Sequence, residues 1–209
     1  NISPEINNYC GVIVPHAGWF FCGRAMGAGF KWLAANNHNV DLVVIFGSHR
    51  SELGPNTVFL GDSFETPLGE IISAKSLAEN IYKYQDSNSS FTIEKEPIDP
   101  THPDNAVEIL LPWIKHYFPD ADLLMSGVAT SKTAIQLGSF IGSKVSLSPY
   151  KSVVYIGSTD LTHYGINYGF SPHGSGDKAI DWVRSENDGE FLQAIVDNNM
   201  SKVISHGVN

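Results

Sequence analysis

The sequence predicts an α/β fold, a single domain with a central, mostly parallel sheet flanked by helices. Three observations carry this expectation: short apolar, β-branched runs recur, amphipathic helical patterns lie between them, and the two kinds alternate along the chain. GVIV at 11–14 and LVVIF at 42–46 are unbroken apolar runs, as a strand buried on both faces requires. Further runs of this kind lie at 58–60, 123–128 and 153–156. Helical patterns at 23–35, 74–84, 131–145 and 177–184 fill the intervals, with a shorter one near 189–196. The clearest helix puts Val107, Leu110, Leu111, Ile114 and Phe118 on one face, and Pro112 is expected to kink it. QDSNSS at 85–90 reads as surface turns. With no repeat, low-complexity tract or linker, residues 1–209 are expected to form one domain. The chain does not start with Met and ends in mid-pattern at SHGVN, so one or both natural termini are expected to be incomplete.

A chain of 209 residues can bury roughly 70% of its unfolded surface, and 42% hydrophobic against 17% charged residues is a globular composition. The net charge is −9, and no cluster of Lys or Arg occurs, so nucleic acid and anionic membrane are poor partners. No run approaches the ~20 apolar residues that span a bilayer. Cys10 and Cys22 make neither a disulfide framework nor a structural zinc motif, and a reducing, cytoplasmic compartment is expected.

Ligands of parallel sheets bind outside the carboxyl ends of the strands, so the loops that follow them carry the interest. His16 leaves the first strand in PHAGWFFCG, and His49 leaves the second in GSHR. A loop histidine is most often a plain hydrogen-bonding residue, but two at equivalent strand ends are less easily dismissed. If the two strands are neighbours their imidazoles converge, and neutral imidazole is the commonest ligand of zinc, iron and copper. The last strand runs into STDLTHYG, which places Ser158, Thr159, Asp160, Thr162 and His163 within six residues. Its bland alternative is a turn whose side chains cap their own backbone. In THPDNAVEILLPW, Asp104 is suited to cap the amphipathic helix, His102 precedes it, and Glu108 would lie along the same side, towards a cleft. Trp19, Phe20 and Phe21 would wall an apolar pocket or simply join the core. Cys22 near a helix start is a possible nucleophile, a small buried residue being the plainer reading. The chain contains no GxGxxG, P-loop, HExxH or GxSxG, which lowers nucleotide-dependent and serine-hydrolase readings.

Taken in order, PHAGWFFCG, the strand ending in His49, DNAVEILLPW and STDLTHYG resemble the Memo-like family, which includes the proteins called AmmeMemoRadiSam system protein B. ETPLGEI at 65–71 is similar to the family segment in which a strand leads through a Thr-Pro-Leu-Gly turn. The resemblance spans roughly 11–196 and implies a fold similar to class III extradiol dioxygenases, enzymes that hold non-haem iron by two His and a carboxylate. It further implies that His16 and His49 are the two histidine ligands. The third position, where family members can carry Cys, falls on Thr162, and Asp104-Asn105 stands where the family often has Glu-His.

Three functions follow as expectations. The first is an iron-dependent oxidoreductase acting on a small molecule, with His16 and His49 on Fe2+, His163 as acid or base, and Asp160 orienting that imidazole or joining the metal. Asp104, Glu108, Thr162 and His102 would line its cleft. The second is a non-catalytic module that binds a peptide or small molecule in the same cleft. The third is a zinc-dependent hydrolase.

Overall fold

The computed structural model describes residues 10–50, 54–85, 90–97 and 104–207. Its core is a six-stranded sheet in the order β1-β8-β2-β7-β3-β6. The strands are β1 (Gly11–Val14), β2 (Leu42–Phe46), β3 (Asn56–Val58), β6 (Ile93–Lys95), β7 (Asp122–Gly127) and β8 (Val153–Ser158). β1, β8, β2 and β7 are parallel to one another, while β3 pairs antiparallel with β7 and parallel with β6. The predicted single-domain α/β architecture is therefore the one observed.

Both faces of the sheet are covered at its centre, where β2 is apolar throughout, whereas Ile13 on the edge strand β1, expected to be buried, is exposed. Val43 and Ile45 enter the layer that holds Met26, Phe30 and Leu33 of α1 (Trp19–Asn36) and Ile114 of α4 (Leu111–Tyr117). Leu42 and Val44 enter the opposite layer, with Leu77 and Ile81 of α2 (Lys75–Lys83) and Leu137, Ile141 and Val145 of α5 (Ala134–Ser146). A strand alternates sides at every residue, so burial on both faces demands an apolar residue at each position. Fully burying a Leu or Phe of this kind contributes about 1.5–3 kcal/mol.

Some boundaries differ from expectation. The helix read through 107–118 is two helices, α3 (Asn105–Glu108) and α4, with Pro112 in the first turn of the second. There a proline gives up no intrahelical bond, so it starts a helix rather than bending one. β3 lies two residues earlier than the 58–60 run. Helix α1 begins at Trp19, which places Trp19, Phe20 and Phe21 in its first turn; Phe20 and Phe21 are exposed, neither core nor pocket wall. The ETPLGEI segment is the turn of a small two-stranded sheet, β4 (Ser63–Phe64) and β5 (Ile71–Ile72). Gly69 sits in it at φ 113°, a conformation open to glycine, and its N–H and C=O both bond Thr66. The expected turn at 85–90 lies mostly outside the described residues.

The chain closes with a 3-10 turn (Ile166–Tyr168), α6 (Asp177–Trp182), a π turn (Val183–Asn187), α7 (Asp188–Val196) and α8 (Met200–Gly207). The continuous pattern at 177–184 is thus shorter as α-helix and widens by one residue into the next. Among the described residues no helix is long and apolar enough to cross a membrane.

Candidate functional site

His16 and His49 follow β1 and β2, which are not neighbours: β8 runs between them. All three strands point the same way, so their following loops meet at one edge, where the loop after β8 brings Asp160 to His16 and His163 to Asp160. The His16 and His49 rings stand edge to face with centroids 4.9 Å apart.

Ser158 explains how His16 is held. It has the parity of Val154 and Ile156 on β8, so it faces the α1 and α4 layer, where its hydroxyl donates to the Ala106 carbonyl. A hydroxyl carries one hydrogen, so its contact with His16 Nδ1 at 2.9 Å must be donated by the imidazole. The proton of neutral His16 therefore lies on Nδ1, and Nε2 keeps its lone pair. Gly47 makes this packing possible: a Cβ there would lie 2.6 Å from Ser158 Cβ. His16 is buried; desolvation lowers its pKa, with the His49 ring acting in the same direction and the Asp160 carboxylate against it.

His49 is fixed by a different partner. Asp104 caps α3, accepting from the Ala106 N–H at 2.9 Å, and the same carboxylate accepts from the His49 N–H at 2.8 Å and from His49 Nδ1 at 2.7 Å. Burial by itself would push Asp104 up, but these donors outweigh it and hold the carboxyl below its ordinary value. An ionised carboxylate only accepts, so the proton on His49 in this bond is again on Nδ1. The expected helix cap thus also orients a candidate ligand.

Asp160 ties the β8 loop to the β1 loop. Its Oδ1 accepts from the N–H groups of His16 and Ala17 at 2.7 and 3.2 Å. Its Oδ2 lies 3.8 Å from His16 Nε2 and 3.5 Å from His163 Nε2. Asn105, read from the sequence only as a departure from the family pattern, donates to the His16 carbonyl at 3.1 Å.

Thr162 is committed elsewhere. Its hydroxyl donates to Asp188 Oδ1 at 2.5 Å and accepts from Asn187 Nδ2 at 2.6 Å. Those partners lie 26 and 25 residues away, and no local pattern announces them. Glu108 is exposed at the end of α3, and His102 lies outside the described residues. The Cys22 thiol donates to the Ala17 carbonyl at 2.8 Å, and burial, then Asp160, raise its pKa, the opposite of an activated nucleophile.

A cavity of about 1010 Å3 opens beside this cluster, lined by Ser158, Asp160, Thr162 and His163 together with the loop after β7 and the C-terminal helices. His16, His49, Asp104 and Glu108 are not among its lining residues. Ser158 and Asp160 are the link, touching His16 on one side and lining the cavity on the other.

The chemistry of the donors suits a transition metal: two imidazoles, each with Nδ1 engaged by a neighbouring group as metal-ligating histidines commonly are. Asp104 is bonded to His49 Nδ1, and Asp160 Oδ2 lies 3.8 Å from His16 Nε2. Among the described residues, however, no three His, Cys, Asp or Glu side chains are arranged to hold a metal ion.

The profile of the Memo-like protein family matches residues 1–207. A MEMO1 family protein of Methanosarcina barkeri is 29% identical over 161 residues, covering 75% of this chain and 56% of its own length. One of Thermoplasma volcanium is 28% identical over 155 residues, covering 74% and 54%. A third, from Thermotoga neapolitana, is 25% identical over 164 residues, covering 78% and 57%. The chain spans about half the length of the curated relatives it matches. With the strand-end motifs in order along it and the family profile matched from end to end, the chain belongs to the Memo-like family.

Proposed function

We propose that this chain binds a small molecule in the cavity beside Asp160 and holds a transition metal between His16 and His49, as an iron-dependent oxidoreductase of the class III extradiol dioxygenase type working in the cytoplasm. The observation that carries the reading is the pairing of the imidazoles: centroids 4.9 Å apart, each with Nδ1 committed to a neighbour. Each neutral ring therefore keeps its Nε2 lone pair for a ligand. Iron bound there would supply redox chemistry with dioxygen, whereas zinc would supply a Lewis acid for hydrolysis.

The chain's own residues have separable tasks. Ser158 and Asp104 orient the two rings. Asp160 holds the β1 loop through Oδ1 and offers Oδ2 to His163. With His163 Nε2–H directed at that oxygen, Nδ1 is the atom at which this exposed ring would take or return a substrate proton. His163 lines the cavity, so the transfer would occur where the ligand lies.

A second reading, a non-catalytic module for a small molecule or peptide, is favoured by one observation: the Thr162 hydroxyl is already bonded to Asp188 and Asn187. Anaerobic Fe2+ titration and a parallel Zn2+ titration separate the two. His16→Ala and His49→Ala should each weaken binding at least about ten-fold. His173→Ala should leave it unchanged, since that ring stacks on Trp182 instead. Equal affinity in wild type and all three variants removes the metal and leaves the binding module.

A further inference from the structure

The cavity also carries information about its ligand. About 1010 Å3 is room for a small organic molecule. Phe170, Trp182 and Phe191 give it aromatic walls, and Leu137 and Val203 add aliphatic surface. Trp182 is held by rings on several sides, with centroids 6.2 Å from Phe170, 6.3 Å from Tyr164 and 4.4 Å from His173.

The charge of the lining is one-sided. No Lys or Arg is among its residues, while Asp160 and Asp188 are. Of the cations on neighbouring segments, Arg50 pairs with Glu96 at 2.7 Å and Lys202 with Glu190 at 3.6 Å. An anionic ligand would meet two carboxylates and no permanent counter-charge. Asp160 is occupied by the His16 and Ala17 N–H groups and faces His163. Asp188 receives both Thr162 donors on Oδ1, and no bond to its Oδ2 is present among the described residues.

Two independent features mark the same cavity as built for a ligand. Ser48 lines the cavity, and its hydroxyl oxygen, set beneath the surface, has no partner among the described residues, although such groups are normally satisfied. The π turn Val183–Asn187 ends immediately before Asp188, and single π turns recur at functional sites. Gly189 permits that turn: a Cβ there would meet the Arg184 carbonyl at 2.9 Å.

We propose that the ligand of this cavity is a small aromatic or apolar molecule bearing a cationic amine, with Asp188 Oδ2 pairing the ammonium group and Phe170, Trp182 and Phe191 enclosing its body. Carboxylate and aromatic faces together favour a cation, and both are present. The inference rests on the cavity being the ligand site, as in the reading above, and does not require a metal.

The test uses three probes of nearly equal shape on metal-free protein at neutral pH: phenethylamine, 2-phenylethanol and 3-phenylpropionate, by calorimetry or ligand-observed NMR. Phenethylamine should bind at least about ten-fold more tightly than either of the others, roughly what one charge-assisted bond contributes. Asp188→Asn keeps an acceptor for Thr162 but removes the charge; it should erase the amine preference while leaving 2-phenylethanol binding unchanged, an effect that a purely structural role would not produce. Trp182→Leu should weaken all three. Equal or tighter binding of the alcohol or acid, no binding of the amine, or an unchanged preference in Asp188→Asn each overturns the proposal. Because no metal is present, an independent Fe2+ titration shows whether the metal reading stands or falls separately.

Discussion

His16 and His49 occupy equivalent places in the topology, each just beyond a parallel strand, yet their surroundings have little in common. His16 is 7% exposed and held by a hydroxyl, Ser158, which is itself bonded to the Ala106 carbonyl. The His49 side chain is 51% exposed and held by a carboxylate, Asp104, which also caps a helix. One imidazole is fixed by burial and packing; the other is fixed at the surface by an ion and a helix end. Both arrangements occupy Nδ1, so they are two physical routes to one orientation of the ring.

The strongest way to break the buried half is Gly47→Ala. A methyl group placed 2.6 Å from Ser158 Cβ cannot be absorbed without moving β8 or the β2 end, and overpacking of this sort destabilises by about 1–3 kcal/mol. Urea unfolding should show the loss; stability within about 0.5 kcal/mol of wild type would mean that this edge of the sheet is slacker than its packing indicates. Ser158→Ala should follow, at about 1–2 kcal/mol, because it leaves the buried Ala106 carbonyl and His16 Nδ1 without their partner.

The exposed half is probed through Asp104. Asp104→Ala removes a helix cap and the His49 anchor together and should cost about 1 kcal/mol, most of which Asp104→Asn should restore by keeping an acceptor for the Ala106 N–H. If the Asn variant is as unstable as the Ala variant, the charge rather than the cap is what matters.

Acidity distinguishes the buried imidazole again. Burial lowers the His16 pKa, so the unfolded chain takes up this proton first as the pH falls. The stability that neutral His16 contributes is complete above about pH 6.5, its unfolded value, and declines as the pH drops from there towards the folded value. The slope from one such group cannot exceed about 1.4 kcal/mol per pH unit. His16→Gln should flatten the decline in a series of melting temperatures between neutral and mildly acidic pH; an unaltered slope would assign the acid sensitivity to other groups.

Much of the fold can be read directly from residues. The apolar run of β2 states that both faces are covered there, and alternating helix patterns favour mostly parallel neighbours, with β3 against β7 the antiparallel exception. The strand-end positions of His16, His49 and the 160–163 segment are legible for the same reason. Pro112 was harder: its chemistry is compatible with a kink or a helix start, and the neighbouring packing selects the start. Thr162 is illegible, since its partners come from the π turn and the start of α7, and so is Ser48, whose isolation is visible only once everything around it is placed. Sequence alone determined which residues stand at strand ends, because side-chain periodicity and chain reversal are local. Tertiary structure decided that β8 lies between β1 and β2, which neighbour meets Nδ1 of each imidazole, and which carboxylates line the cavity, because these depend on contacts between segments far apart in the chain and on the water that those contacts exclude.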